Sequence, residues 1–442
     1  MKKIIQTIKD IFAIADLRTR IFNTILFLLV FRLGSYVVLP GVNPGMIDSS
    51  NTQSGFLGIV NTFSGGAFSN VSVFALGIMP YITASIVIQL LTFAVPQVQK
   101  LQKEGESGRK KLNNWTRLLT IIVCTFQSIG YLAAYVKPEM LFSGMDSLFF
   151  YFSRIIILIG GTMFCLWLGE KITDKGIGNG TSMLIMIGII SRFPHAITIE
   201  AYTKGFKGAF PFVIELVALF VVVMFVVMIT QAVRKVPVQY AKQIVGGKVY
   251  GGQRQYLPLK VIAAGVMPII FAQSVMVLPP MIASFVGQES DFAVQMATAF
   301  ADFTTWQYNL LLVFLIIVFT FFYTALSVNP KNISDDMKRN GGFIAGVKPG
   351  DETSNFIDDI LSKITLPGAI FLCAIAILPS IASMVGITRE FAYFYGGTSL
   401  LIIVGVVLDT IQQVESYLLM KEYDGMMKSG KVLSSTVSES VA

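Results

Sequence analysis

Residues 75–82 read Ala-Leu-Gly-Ile-Met-Pro-Tyr-Ile and residues 263–270 read Ala-Ala-Gly-Val-Met-Pro-Ile-Ile, identical at five of eight positions. A second pair follows the same offset. Residues 180–188 read Gly-Thr-Ser-Met-Leu-Ile-Met-Ile-Gly and residues 397–405 read Gly-Thr-Ser-Leu-Leu-Ile-Ile-Val-Gly, identical at six of nine. These stretches lie in ten apolar runs, near 21–39, 71–95, 117–136, 148–169, 180–199, 209–233, 257–286, 308–328, 364–386 and 394–411. A helix needs about 20 apolar residues to cross the hydrocarbon of a bilayer, so each run is a candidate transmembrane helix. The matched pairs join runs two and seven, and runs five and ten. Members of a pair stand five runs apart and cross in opposite directions, the pattern of an inverted-topology repeat. The expected fold is therefore an all-α integral membrane protein with ten transmembrane helices in two halves, 1–203 and 204–442. The outside segment around Glu200 to Gly208 joins them, and the functional path lies between them.

Composition agrees with that class. Of 442 residues, 54% are hydrophobic and 14% charged, whereas a soluble domain carries about 25% charged residues to cover its surface. Disorder is excluded by 35 Phe and 15 Tyr beside long aliphatic runs. Cys124, Cys165 and Cys373 sit inside apolar runs as small hydrophobes, and the single histidine, His195, cannot build a metal site. No Walker A pattern, zinc helix or nucleophile and base pair is present, so we expect no enzyme, metal or cofactor. Energy for any transport would come from a partner or a gradient.

Two runs are irregular. The fifth is interrupted by Arg192, Pro194 and His195 after about half a span, and the seventh carries Pro258, Pro268, Pro279 and Pro280, which predict kinks. With the N-terminus inside, the inner segments hold 27 of the 34 Lys and Arg residues; the outer ones hold Lys137, Arg192, Lys204, Lys207 and Arg389. Arg32 and Arg154 lie in spans near outer ends. This asymmetry places both termini in the cytoplasm. The first run lacks a small-residue cleavage site and reads as a retained anchor.

The outer segment 40–70 is long and contains Phe63-Ser64-Gly65-Gly66-Ala67-Phe68, which by itself reads as a surface loop. Two inner segments, 234–256 and 329–363, are also long. In the first, alternating apolar residues flank Gly246-Gly247 and predict a β-hairpin. The second mixes Lys338, Arg339 and Lys348 with Asp335, Asp336, Asp351, Glu352, Asp358 and Asp359. Basic loop tips suit anionic lipid headgroups, ribosomal RNA or an acidic protein surface; their plainest role is to enforce topology.

An ion-coupled transporter of small solutes, the competing class, would place ionisable residues near the midplane. Here Glu215 lies toward an outer end and Asp409 toward an inner one. They are the candidates for coupling residues, with snorkelling to the interface as the plainer reading. The repeat instead points to isoleucines at the centre. Ile78 and Ile82 are four apart, as are Ile185 and Ile189, so each pair shares a helix face; the mates of Ile82 and Ile185 are Ile270 and Ile402. Singly, each reads as packing or lipid contact. A ring of them would make a dewetted constriction, closed to ions yet deformable around something larger.

Several stretches are specific: Ala75 to Leu91 (ALGIMPYITASIVIQLL), Lys103 to Arg109 (KEGESGR), Gly176 to Ser182 (GIGNGTS), Tyr240 to Lys242, Tyr256 to Lys260 (YLPLK), Phe322 to Leu326, Asn329-Pro330, Gly346 to Gly350 (GVKPG) and Gly396 to Ile402 (GGTSLLI). In these motifs, running in order from the second span to the tenth, the chain resembles the SecY family, the channel subunits of the bacterial protein translocase. The resemblance implies a ten-helix clamshell hinged between helices five and six, with an hourglass pore. It implies a pore ring at Ile78, Ile82, Ile185, Ile189, Ile270 and Ile402. It also implies a plug near 57–70, comprising Leu57, Phe63, Ser64, Gly65, Gly66, Ala67 and Phe68, in place of a surface loop. A lateral gate is expected between helices two and three on one side and seven and eight on the other, with Thr83, Gln89 and Leu278 as candidates. Docking residues are expected at Arg234, Lys235, Lys242, Lys248, Arg254, Lys338, Arg339 and Lys348. The implied partners are small SecE-type and SecG-type membrane subunits, the motor ATPase SecA, the ribosome, signal sequences with unfolded preproteins, and membrane lipid, all at the bacterial cytoplasmic (inner) membrane. One departure is Lys348, where the family commonly has arginine; lysine keeps the charge but loses the planar fork.

Overall fold

The Met-Pro pairs of the first repeat each start a helix, because proline is tolerated in a first turn, where its missing N–H has no partner to lose. The segments leading into them, 75–78 and 263–266, are turns. Gly77 (φ +52°) and Gly265 (φ +61°), repeat mates, are both in the left-handed region that suits glycine. The second repeat also recurs locally, since helices begin at Gly180 and at Gly397.

A computed structural model of the chain describes residues 11–46, 61, 63–136, 140–142, 148–205, 209–240, 243–245, 248–250, 254–276, 295, 299–300 and 302–429. Its main helices are α1 (Ala15–Gly34), α2 (Met79–Ala94), α3 (Pro96–Lys103), α4 (Glu106–Tyr135), α5 (Leu148–Lys175), α6 (Gly180–Lys204), α7 (Ala209–Thr230), α8 (Met267–Met276), α9 (Trp306–Ser327), α10 (Pro330–Arg339), α11 (Asp351–Met384), α12 (Arg389–Ala392) and α13 (Gly397–Ser429). The strands are β1 (Val233–Tyr240), β2 (Gln243–Val245), β3 (Lys248–Tyr250), β4 (Arg254–Lys260) and β5 (Gly342–Phe343). Each of the ten apolar runs carries one of these helices. Seven are long and apolar enough to cross a bilayer: α4, α5, α6, α7, α9 running on into α10, α11 and α13. α2 bends by 105° into α3. On α7, Phe210, Val213, Val217, Phe220, Met224 and Met228 are exposed at helical spacing, a lipid-facing stripe. The chain is a multi-span membrane protein.

Several boundaries differ from the sequence reading. α6 continues through Arg192, Pro194 and His195 to Lys204, so the fifth run is no half-span. Partners exist for its polar groups: His195 Nδ1 lies 3.3 Å from Glu390. Pro258 kinks no helix. It lies in β4, opposite Lys235 on the outer strand of a sheet, where a missing N–H breaks no ladder. α4 and α11 begin at Glu106 and Asp351, well before their apolar runs, because hydropathy reports lipid contact and helices extend past it. Pro279 and Pro280 lie outside the described residues.

The two long inner segments form one unit. β1 pairs with β4 over seven residues, and β5, from the second segment, adds to its other edge through Gln239 opposite Phe343 and Tyr240 opposite Gly342. β2 and β3 pair on either side of Gly246-Gly247, the hairpin expected. Val236, Val238, Leu259, Met337, Ile344, Ile357 and Leu361 make a separate buried core beneath the sheet. We call this unit the platform. α7 leads into it, so the N-terminal end of α7 and the C-terminal end of α6 lie at the far end of the bundle.

α6 is the central strut. It packs on α5 and α1 and also on α13, α7 and α12. Asn179 caps it by accepting the N–H groups of Thr181 and Ser182. At its platform end, Gly178 N–H donates to Gln413 Oε1 of α13 at 2.8 Å. Arg20 of α1 lies over the Tyr417 ring at 5.5 Å and donates to the Gly176 carbonyl at 3.3 Å.

The separate platform core gives a first prediction. Replacing the fully buried Ile357 with alanine costs the platform about 2–5 kcal/mol. Hydrogen exchange measured by mass spectrometry then accelerates in β1 and β4 while α5 and α6 keep their protection.

Candidate functional site

Four helices bring the repeat isoleucines together. Ile82 comes from the first turn of α2, Ile185 from α6, Ile270 from α8 and Ile402 from α13, and all four line one small cavity with Met79, Gln273, Ser274, Tyr308 and Phe63. The volume open to the centre of a water molecule is about 20 Å³, room for about one water. Ile78, Ile82 and Ile185 line a neighbouring cavity with Phe31, Leu76 and Leu184, of about 10 Å³ by the same measure. Among the described residues, no charged side chain lines either. Ile189 is fully buried in the packed core and lines neither.

Phe63 faces both cavities, as well as a third between α8, α9, α11 and α13. The segment that follows it is buried, not exposed: Ser64, Gly65, Gly66, Ala67 and Phe68 are all inside the protein. This overturns the surface-loop reading. Glycine explains how close it sits, since a Cβ on Gly188 of α6 would fall 2.5 Å from the Phe63 carbonyl oxygen. Arg32 Nη1 donates to the Gly65 carbonyl at 2.9 Å. Asn61 Oδ1 accepts from Ser69 N–H and the Asn61 carbonyl accepts from Ser64 Oγ, which closes the segment on itself. Tyr131 donates to the Phe68 carbonyl at 2.7 Å, and the rings of Tyr131 and Tyr135 meet the Phe68 ring edge-on, each with centroids 4.7 Å away. Leu57 lies outside the described residues.

Neither coupling candidate reaches the cavity. Glu215 Oε1 is 2.6 Å from Lys204 Nζ at the far end, and Asp409 is exposed on α13. Of the gate candidates, Thr83 donates to the Met79 carbonyl in its own helix at 3.1 Å. Gln89 Nε2 donates to Ser85 Oγ at 3.3 Å, and its buried Oε1 has no partner among the described residues. Leu278 and Lys242 lie outside the described residues, as do the side chains of Lys248 and Arg254. On the platform, Arg234, Lys235, Lys338, Arg339 and Lys348 are exposed, with Lys348 3.7 Å from Glu352. Sequence reasoning missed Arg32 as a holder of the buried segment, and Gln273 and Tyr308 as cavity walls. Gln273 follows Ile270 by one turn, the only hint available.

The SecY family model matches residues 72–411. A protein translocase subunit SecY of Streptomyces scabiei is 40% identical, over 94% of this chain and 98% of its own. The chain belongs to the SecY family. Solved structures have the same fold. A SecY protein whose plug domain is described as stabilising the closed state of its translocation channel and maintaining a membrane seal is 16% identical, covers 93% of this chain and 94% of its own, and has a TM-score of 0.62. Sec61 in a canine ribosome-channel complex from the endoplasmic reticulum matches with the same identity and coverage at a TM-score of 0.59. The SecY-family fold expected from the motifs is the fold found.

The contact at Gly188 can be tested directly. Gly188→Val drives a side chain into the Phe63 backbone and pushes residues 63–65 off α6. A cysteine at the buried Ser64 then reacts severalfold faster with a water-soluble maleimide than in the parent protein. Cys124, Cys165 and Cys373 are buried and contribute little background.

Proposed function

We propose that this chain is the central channel of a protein translocase, passing unfolded preproteins across the membrane and releasing apolar segments sideways into lipid. The observation that carries this reading is the meeting of Ile82, Ile185, Ile270 and Ile402 with Phe63 around space for a single water. An ion entering that space would have to shed its hydration shell against a mostly apolar wall, in which Gln273, Ser274 and Tyr308 are the polar residues among those described, at a large cost. A polypeptide is wide enough to displace Phe63 and to replace its contacts with contacts to the isoleucines. Dispersion contacts have no direction, so the ring seals around many sequences and holds none tightly.

In this reading Ile78, Ile82, Ile185, Ile270 and Ile402, with Ile189 packed behind them, are the ring, and residues 57–70 are the plug. Thr83, Gln89 and Leu278 belong to the lateral gate. A segment of about 20 apolar residues leaves through it, favoured by roughly 25 cal/mol per Å² of apolar area removed from water. The chain does no chemistry of its own. Pushing comes from SecA or from the ribosome, either docked on the exposed basic residues of the platform, and SecE-type and SecG-type subunits cover part of the lipid-facing surface. The positive-inside count supports the bacterial cytoplasmic membrane with both termini cytoplasmic. A small-solute transporter is disfavoured by family membership and by a cavity wall without charge.

Two measurements test the reading. Ile82→Gly and Ile270→Gly raise the resting ion conductance of planar bilayers, as does deletion of residues 58–68, whereas Val213→Gly on the lipid face of α7 leaves it unchanged. Equal conductance in all four would remove the ring and the plug from the account. In liposomes, the chain with its small subunits transports an unfolded precursor in a SecA-dependent manner; specific counterflow of a small solute by the chain alone would contradict the proposal.

A further inference from the structure

Glu200 is completely buried at the far end of α6, a costly place for a carboxylate. Its Oε2 accepts the backbone N–H of Thr388 at 2.9 Å and also the Thr388 hydroxyl. Its Oε1 is 3.5 Å from Lys204 Nζ, one helical turn on. The same ammonium lies 2.6 Å from Glu215 Oε1 on α7 and 3.3 Å from the Gly386 carbonyl. An ammonium has three N–H donors; this one donates to Glu215 Oε1 on α7 and to the Gly386 carbonyl in the turn before α12, and it stands in ion-pair range of Glu200 Oε1 on α6. Tyr395 completes the cluster by donating its hydroxyl to the Glu215 backbone carbonyl at 2.5 Å.

We infer that Glu200, Lys204, Glu215 and Thr388 form a pin that fixes the far end of α6 against the second half of the chain, and so positions the isoleucine constriction. The inference rests on the channel reading and adds the residues that set its aperture. Lys110 with Glu106 and Lys363 with Asp359 are exposed and lie within single helices; the pairs that join elements, Arg117 with Glu170, His195 with Glu390 and Arg389 with Asp302, are all partly exposed, unlike Glu200. Here two carboxylates share one ammonium, and the excess negative charge is met by the two donors of Thr388. Well-packed apolar groups would fill such a site at no loss of stability. What they lack is direction: the Thr388 and Lys204 donors fix the relative placement of the three segments, while Glu200 Oε1 and Glu215 Oε2 accept no hydrogen bond among the described residues.

That placement matters because of what α6 carries. Ile185 lines the constriction and Gly188 supports Phe63, while Ile270 and Ile402 stand opposite on α8 and α13. Lys204 is 19 residues beyond Ile185, about 28 Å along the helix. The Gly178 to Gln413 bond holds the other end. α6 is thus tied at one end to α13, which carries Ile402, and at the other to α7 and to the turn that leads through α12 into α13.

The test uses the protein in lipid nanodiscs with spin labels on cysteines at Tyr202 of α6 and Met384 of α11, both exposed, and reads the distance distribution by pulsed electron resonance. The parent and Lys204→Arg give one narrow distribution. Lys204→Met and Glu200→Gln broaden it, and each raises the resting conductance severalfold in planar bilayers. Glu200→Gln, which keeps the side-chain shape, decides the matter if Lys204→Met fails to fold. A narrow distribution in Glu200→Gln, with conductance unchanged, overturns the pin. If the parent transports no precursor while the variants still broaden, the channel reading fails and the pin stands.

Discussion

An ion cannot cross hydrocarbon without losing its water, and in the proposed function the centre of this protein is arranged around that cost. A path wide enough for a polypeptide can be shut against ions in two ways: by charged or polar groups that bind them, or by apolar groups that refuse them. The first would also grip the substrate. In the proposed function the cavity shared by Ile82, Ile185, Ile270 and Ile402 takes mainly the second way, with Phe63 placed against it from a buried segment. The fold brings these four side chains, from four helices, to one cavity.

Holding them there falls mainly to α6. Small residues let other chains approach it closely, as at Gly188, and polar ties secure both of its ends. Along its length the contacts are apolar and non-directional. Directional bonds are concentrated where they do not face the path, at Gly178 with Gln413 and at Glu200 with Thr388. This division keeps these polar ties away from the constriction while still specifying where its walls stand.

Much of this was legible in the sequence. The ten runs, the recurrence of the two helix starts and the isoleucine mates follow from periodicity and self-similarity, and the Gly246-Gly247 hairpin from turn chemistry. Other features depend on partners far away in the chain. Thr388 lies 188 residues from Glu200, and nothing local marks either as paired; a span cut short at Pro194 left Lys204 in a loop. β5 is two residues long and recognisable only by its pairing with β1. The burial of Phe63 to Phe68 ran against local composition, because small residues flanked by phenylalanine suit a surface turn as well as a close approach to glycine on α6. Pro258 misled for a related reason: hydropathy cannot tell a strand over a small apolar core from the start of a membrane helix.

The central claim is that the substrate passes through the isoleucine constriction. It is tested most directly by placing a photo-crosslinking amino acid at Ile82, Ile185, Ile270 or Ile402 and stalling an unfolded precursor part-way across. The account predicts crosslinks from all four positions to the stalled chain, and none from Phe220 on the lipid face of α7. Efficient stalling with no crosslink at the four isoleucines would contradict it.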